Sequence, residues 1–233
     1  MNERITGISS MATRLLLADL ARAYELRSGH AVAIESVGGV DAAKRVQAGE
    51  PFDVVVLASD AIDRLIASGQ VVGERVDLVR SPVAIAVRTG APHPDVASAQ
   101  AVRSAVLAAR SLSYSTGPSG VHLARLFERW GIAQDIKPRI VQAPPGVPVG
   151  SLVARGDVEL GFQQLSELMP LSGIDVLGTL PDEIQYITIF SAGLCAASPR
   201  SSLVREMLEC MTSPEVDEIK RRHGMEPALR RDA

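Results

Sequence analysis

Three features of the sequence predict an α/β fold built as two lobes. Short apolar runs alternate with helical patterns along the chain, as expected for parallel sheets covered by helices. The run FDVVVLAS is almost continuously apolar, which is typical of a strand buried on both faces. The long β-rich run VDLVRSPVAIAVRTG has Pro82 in its middle, which favours a strand that leaves one sheet and enters another. We predict a mixed, mostly parallel sheet in each lobe, a hinge crossed twice and a ligand cleft between the lobes.

The first block of elements alternates strand and helix. The runs RITGI, AVAIES and FDVVVLAS predict strands. The first helix is predicted from the near-3.6-residue spacing of Leu15, Leu16, Leu20 and Ala23, and Gly49 is typical of a C-terminal cap after the second. Helices are therefore predicted over residues 10–26, 41–48 and 60–68.

A second block follows the long β run of residues 76–90. Helices are predicted over residues 102–110, 119–130 and 147–155, and strands over residues 112–115, 139–142, 158–162 and 174–177. A last β run, YITIFSAGLCA, precedes helical patterns at residues 202–211 and 214–223. We predict a first lobe of residues 1–82 plus 192–233 and a second lobe of residues 83–191.

Composition excludes several classes of protein. The net charge of −3 gives no basic footprint for nucleic acid, and no apolar run reaches the ~18 residues of a membrane helix. Cys195 and Cys210 have no metal-site spacing and are expected to be ordinary thiols. MNERITGISS has no signal-peptide pattern, so we expect a cytoplasmic protein, or a periplasmic one from which a signal peptide was removed. We expect a monomer without cofactor or metal.

Four turns rich in Gly, Ser and Pro follow predicted strands and open predicted helices. They are GISSM, SVGGVD, TGPSG and PPGVPVG. Ligands of open α/β sheets bind at the carboxyl ends of strands, and a helix N-terminus favours anions through its free N–H groups. TGPSG lacks the Lys-Ser/Thr ending of a nucleotide-binding loop. Each turn alone is typical of a helix cap, but four together indicate a small-anion site.

These segments resemble a known family. GISSM, the stretch containing AGEPFDVVVLASD, and TGPSG before a helix ending in WGI stand in the order of the molybdate-binding type of periplasmic solute-binding proteins. The resemblance covers nearly the whole chain and implies the type 2 periplasmic binding protein fold. It also implies binding of a small anion between two lobes and, if the chain is exported, an ABC permease as partner.

The resemblance implies ligand contacts position by position. A serine after the first strand holds the anion in that family, and Ser10 stands there. Gly38 and Gly39 replace a serine run, Gln164 replaces a tyrosine, and Arg80 stands at the first crossover in place of a neutral polar residue. The complete set of expected ligand contacts is Ser9, Ser10, Gly38, Gly39, Lys44, Arg80, Ser119, Gly120, Gly146, Val147 and Gln164.

The departures from the family pattern favour a carboxylate over molybdate. Molybdate is held by neutral donors, whereas the guanidinium of Arg80 offers a fork that suits a carboxylate. We therefore predict a solute-binding protein for a di- or tricarboxylate. The alternative without a function is that Arg80 is a solvated arginine at a strand end.

An enzyme on the same scaffold is the alternative. The segments GISSM and ESVGGVDAAKRV are also similar to aconitate isomerase, whose reaction shifts a C=C bond of a tricarboxylate by a 1,3 proton transfer. Such an enzyme needs carboxylate clamps, here Arg80 and Lys44, and a group that carries a proton. The candidate proton carriers are His122, Tyr114, Glu35 and Asp41. A ligand-sensing domain of a larger regulator is a third possibility.

Overall fold

The structure is a computed structural model that describes residues 3–143 and 146–229. It has an α/β fold with mixed sheets, as the sequence predicts. The chain divides into two compact units, Met1–Ser81 with Ile189–Ala233, and Pro82–Thr188. We call them unit 1 and unit 2.

Unit 1 begins with three parallel strands and their helices. Strand β1 runs directly into a 3-10 turn, Met11–Thr13, before its helix. The first elements are β1 (Arg4–Ser10), α1 (Arg14–Ser28), β2 (Ala31–Val37), α2 (Gly39–Gln47), β3 (Val54–Ala58) and α3 (Ser59–Ala67). Unit 1 also holds the first part of β4 (Val71–Arg88), most of β8 (Ile187–Cys195), α9 (Ser201–Thr212), α10 (Asp217–Arg222) and β9 (Glu226–Pro227).

The strand order of unit 1 explains where its turns meet. The order is β2-β1-β3-β8; β1 pairs in parallel with β2 and β3, and β8 is antiparallel to β3. One face of this sheet packs against α1 and α9, and the other packs against α2 and α3. Because Ser10 is in register with Val37, the turns after β1 and β2 lie side by side.

Unit 2 is built around the second part of β4, which is antiparallel to both β6 and β7, so the mostly parallel sheet predicted for this lobe is wrong. Its strand order is β4-β6-β5, with β7 also paired to β4. Helices α4 and α5 cover one face of the sheet, and α7 and α8 pack against the other side of β6. The elements are α4 (Ala99–Ala108), β5 (Leu112–Tyr114), α5 (Pro118–Arg129), α6 (Ala133–Ile136), α7 (Val149–Arg155), β6 (Leu160–Gln164), α8 (Leu165–Leu168) and β7 (Ile174–Thr179).

One predicted strand of unit 2 is wrong. Residues 139–142 form a single bridge, between Ile140 and Leu112, instead of a strand. The segment before it is a 3-10 turn, Lys137–Arg139. Pro138 in that turn has no N–H for a ladder, and the Arg139 guanidinium donates hydrogen bonds to the carbonyls of Leu107 and Ala109 at the end of α4.

In the described part of the chain, no helix is long and apolar enough to cross a membrane. The same residues contain no group of three or more His, Cys, Asp or Glu side chains that could hold a metal ion.

Candidate functional site

The carboxyl ends of β1 and β2 bring together the polar residues expected in unit 1. Ser9 and Ser36 face each other across the parallel pair, with 2.8 Å between their hydroxyl oxygens. Ser9 is fully buried and its hydroxyl is therefore occupied within the protein. It holds the two strand ends together and is not free to contact a ligand.

Ser10 differs from its neighbour. The residue is only 8% exposed, and its buried hydroxyl oxygen has no hydrogen-bond partner among the described residues. A Cβ placed on Gly39 would lie 3.5 Å from the Cβ of Ser10, so Ser10 lies beside the first residue of α2. An unpaired buried hydroxyl is costly, and an anion that accepts its hydrogen bond would remove the cost.

The first turn of α2 is open to such an anion. Its N-cap residue is Gly38, and no side chain caps the helix. The leading N–H groups of a helix lack intrahelical partners, and the helix dipole favours negative charge there. Ser10, Gly38 and Gly39 thus form an arrangement that can bind one carboxylate or oxyanion.

The other expected residues of α2 lie differently. Asp41 is exposed in the first turn, with its carboxyl near Gly38, where an acidic group stabilises the helix. Lys44 is exposed in the last turn, roughly 7.5 Å along the axis from Gly39 at 1.5 Å per residue. Lys44 therefore lies at the opposite end of α2 from its uncapped first turn.

Glu35 and Arg80 of unit 1 differ in their partners. Glu35 makes a two-pronged ion pair with Arg45, at 2.7 and 3.0 Å, and its hydrogen bonds lower the pKa of the carboxyl. A carboxylate held this way is a weak base. Arg80 is half-buried in β4 beside Glu226 of β9, and no hydrogen bond or ion pair of its guanidinium is found within residues 3–143 and 146–229.

In unit 2, the start of α5 packs tightly against the end of β5. The hydroxyl oxygens of Ser115 and Ser119 lie 2.9 Å apart. A Cβ on Gly120 would lie 1.5 Å from the carbonyl oxygen of Ser115, so only glycine fits there. The N-cap residue is Gly117, and no side chain caps α5. Ser119 and Gly120 are thus placed at an open helix start, as expected.

Two expected proton carriers of unit 2 have structural contacts. The Nε2 atom of His122 lies 3.0 Å from the carbonyl oxygen of Ile184, which can only accept, so this nitrogen carries a proton. The imidazole also stacks on Tyr186. Burial, assisted by the charge of Glu128, raises the pKa of Tyr114 above 10, so its phenol stays protonated and is a poor base at neutral pH.

The expected contacts near α7 are displaced from the helix start. The helix begins at Val149 with Pro148 as its N-cap residue, so Gly146 and Val147 precede it. Two residues of the PPGVPVG turn, Pro144 and Pro145, lie outside the described residues. Gln164 is buried at the end of β6, and its side-chain amide donates to the hydroxyl of Thr188 at 2.7 Å.

Sequence reasoning missed a carboxyl next to Gln164. Glu167 lies in α8, directly after β6, and burial raises its pKa to about 7 although a hydrogen bond from Gln163 acts in the opposite direction. The only signal in the sequence is the segment QQLSE, which carries Glu167 three residues past a strand end. Its burial and its single donor could not be read from that segment.

The family follows from a match over almost the whole described chain. The model of bacterial extracellular solute-binding proteins matches residues 5–226. The chain belongs to this family. Solved structures of molybdate-binding proteins share the fold that the resemblance implies.

This chain is similar in sequence to an enzyme and in fold to two receptors. Aconitate isomerase of Pseudomonas sp. is 38% identical over 232 residues, covering 96% of this chain and 87% of that protein. The periplasmic molybdate-binding protein of Azotobacter vinelandii is 19% identical with a TM-score of 0.79, over 97% of this chain and 100% of that one. The sulfate-binding protein SubI of Mycobacterium tuberculosis is 15% identical with a TM-score of 0.80, over 97% and 88%. At such identities the two receptors show the fold alone.

Proposed function

We propose that this chain isomerises aconitate, moving the C=C bond between the cis and trans acids by a 1,3 proton shift. The observation that carries the proposal is the 38% identity with aconitate isomerase, which extends over 96% of the chain. The receptors of the same fold are far more distant, at 15 and 19% identity. The reaction needs no electron acceptor or donor, because the bonds are rearranged within one molecule.

The open helix start of unit 1 is the proposed clamp for one carboxylate. The Ser10 hydroxyl has no partner among the described residues, and the start of α2 has no side-chain cap. Both donate to an anion without carrying charge themselves. A carboxylate placed there would satisfy the hydroxyl and the leading N–H groups at once.

Arg80 is the proposed clamp for a second carboxylate. Arg80 is half-buried and has no hydrogen-bond or ion-pair partner for its guanidinium among the described residues. Five N–H donors in a planar fork match a carboxylate. We place the hinge of the proposed two-lobe arrangement where the chain passes between the units, after Ser81 and after Thr188. In unit 2, the proposed contacts are Ser119 and Gly120 at the start of α5, which no side chain caps.

Proton NMR of each aconitate isomer, incubated separately with the purified protein, tests the function. We expect both samples to reach the same mixture of isomers, because a catalyst changes the rate and not the equilibrium. Saturable binding in calorimetry without any conversion would overturn the isomerase and leave a carboxylate receptor. Neither binding nor conversion would overturn both.

Two variants test the proposed clamps. Arg80→Ala is expected to raise KM for aconitate more than tenfold, and Ser10→Ala to raise it less, because a neutral hydrogen bond contributes less than a charged one. The matched control is Arg64→Ala, which removes an exposed arginine of α3 that pairs with Asp60. An unchanged KM in Arg80→Ala would remove this residue from the clamp.

A solute receptor is the second candidate, favoured by the family to which the chain belongs. In that case the protein would bind a di- or tricarboxylate without changing it. An exported form would deliver the ligand to an ABC permease in the periplasm. The NMR experiment separates the two candidates, since only the isomerase changes the spectrum.

A further inference from the structure

Glu167 is a partly buried carboxyl at the end of unit 2 where β5 and β6 finish. The two strands are parallel, with Tyr114 in register with Phe162, so their carboxyl ends lie side by side. Glu167 follows β6 by three residues, in the short helix α8. Its side chain therefore lies at the sheet edge where α/β folds bind their ligands.

A chain of two hydrogen bonds fixes one oxygen of this carboxyl. The backbone N–H of Gly150 donates to Oε1 of Gln163 at 3.1 Å. That bond orients the Gln163 amide, so its nitrogen donates to Oε1 of Glu167 at 2.8 Å. No partner for Oε2 of Glu167 is found in the described part of the chain, and this oxygen is free to accept or give a proton.

Among the described residues, no charged group contributes to the pKa of Glu167; burial and the Gln163 hydrogen bond are its causes. Helix α8 contacts β6 and β7, and α7 contacts the same two strands. Strand β6 has no titratable side chain. The charged residues of α7 and β7 are paired elsewhere, Arg155 with Asp157 and Asp175 with His93 and Thr89. Burial therefore dominates and raises the pKa of Glu167 to about 7, so the carboxyl is divided between its acid and base forms near neutral pH.

This combination suits a reaction that takes and returns one proton. A group that both removes and delivers a proton works best when its pKa lies near the working pH. Among the expected carriers, Glu35 is held by Arg45 and Tyr114 stays protonated. His122 is held by Ile184 and Tyr186. Glu167 has one oxygen anchored and the other available.

We propose that Glu167 is the catalytic residue that carries the proton in the 1,3 shift of aconitate. The inference rests on the proposed isomerase function. Oε2 of Glu167 takes a proton from the methylene carbon of aconitate, and the electron pair of that C–H bond moves into the neighbouring C=C–carboxylate system. The O–H bond then breaks, and the proton forms a new C–H bond at the former vinylic carbon. The double bond has moved by one position, and no electron, atom or co-reactant is gained or lost.

The variant Glu167→Gln tests this role because it keeps the shape and the hydrogen bond but cannot carry a proton. We expect kcat to fall at least 100-fold for both isomers, in line with the loss of a general acid–base group, while KM stays within about threefold. Glu167→Asp is expected to keep part of the activity. The matched control, Glu209→Gln, changes an exposed glutamate of α9 and should leave kcat unaltered.

The pH profile adds a readout that a structural role would not move. Wild-type kcat should rise through an apparent pKa near 7, as the base form of Glu167 accumulates, and the residual activity of Glu167→Gln should lack this limb. Melting curves at pH 6 confirm that each variant is folded. If the wild type is active and Glu167→Gln is equally active, the role of Glu167 is overturned while the isomerase function stands. The same follows if the residual activity of Glu167→Gln keeps the wild-type pH limb. A wild type that does not isomerise aconitate overturns the function and this inference together.

Discussion

Two buried carboxyls of this protein have opposite environments. Asp53 in unit 1 accepts hydrogen bonds from the Thr6 N–H at 2.8 Å and from the Ser198 hydroxyl at 2.7 Å, and it pairs with Arg200 at 3.3 Å. Burial alone would raise its pKa, but the hydrogen bonds and the charge of Arg200 lower it overall. Glu167 in unit 2 has a single neutral donor, and burial raises its pKa.

The difference shows how donors decide what a buried carboxyl can do. Several donors and a cation keep Asp53 ionised and join β1, the start of β3 and the segment after β8. Such a group stabilises the fold and has no proton to exchange near neutral pH. A buried carboxyl with one donor lowers the stability of the fold when it ionises. Its raised pKa allows it to exchange a proton near neutral pH.

The largest expected effect comes from Asp53→Ala. The variant leaves the partly buried Thr6 N–H and Ser198 hydroxyl without an acceptor and removes the partner of Arg200, so the free energy of unfolding should fall by about 3 kcal/mol. Urea denaturation at pH 7 measures it. Asp60→Ala, which removes an exposed i,i+4 partner of Arg64, is the control and should cost less than about 1 kcal/mol. Equal losses in the two variants would contradict the role given to Asp53.

Glu167→Gln should change the pH dependence of stability by a smaller amount. The ordinary pKa of 4.5 applies to the unfolded chain and about 7 to the folded protein, so between these values the folded state holds a proton that the unfolded state has lost. Wild-type stability must therefore fall as pH rises from about 4.5 to about 7. The variant should gain on the order of 2 kcal/mol over the wild type from pH 4.5 to pH 8, below the full linkage value because the side chain is partly exposed. If the difference in unfolding free energy between variant and wild type is the same at pH 4.5 and pH 8, the raised pKa of Glu167 is refuted.

Gln163→Leu sharpens the comparison by removing the one donor to Glu167. The hydrogen bond from Gln163 lowers the pKa of Glu167, so its loss should move the midpoint of the kcat profile upward by about one pH unit, equivalent to about 1.4 kcal/mol. Gln134→Leu, at an exposed position of α6, is the control and should leave the midpoint in place. A midpoint that stays at the wild-type value in Gln163→Leu would mean that Glu167 does not set it.

The smallest expected effect comes from Arg200→Gln. The Arg200 side chain is 35% exposed, so solvent screens its attraction to Asp53, and the loss of stability should stay below about 1 kcal/mol. Thermal unfolding in low and high salt measures it, with the wild type losing the same small amount in high salt. A loss as large as that of Asp53→Ala would show that the cation, rather than the hydrogen bonds, keeps Asp53 ionised.

Most of the fold could be predicted from local patterns, because burial imposes a period on strands and helices. The apolar run before Ala58 became β3, and the run around Pro82 became the 18-residue β4. What failed depended on distant partners. Residues 139–142 look apolar enough for a strand, but Pro138 and the contacts of Arg139 with α4 prevent one.

The candidate site was predictable only as far as the strand ends. The sequence placed Ser10 and Gly39 in turns, and the register of β1 with β2 brings those turns together. It could not show that Ser9 is occupied by Ser36, that Glu35 is tied to Arg45, or that Gln163 anchors Glu167. These outcomes depend on which side chains face each other in the folded protein. The spacing of residues along the sequence does not contain that information.

The pairing of β3 with β8 also determines the order in which the protein can fold during synthesis. Strand β3 ends at Ala58, and its antiparallel partner ends at Cys195. A ribosome that adds about 5–20 residues per second needs roughly 7 to 27 seconds for the chain between them. All of unit 2 emerges in that interval and can fold first, while one edge of β3 waits unpaired. Until β8 is made, nascent unit 1 therefore presents an open strand edge, which is a template for aggregation.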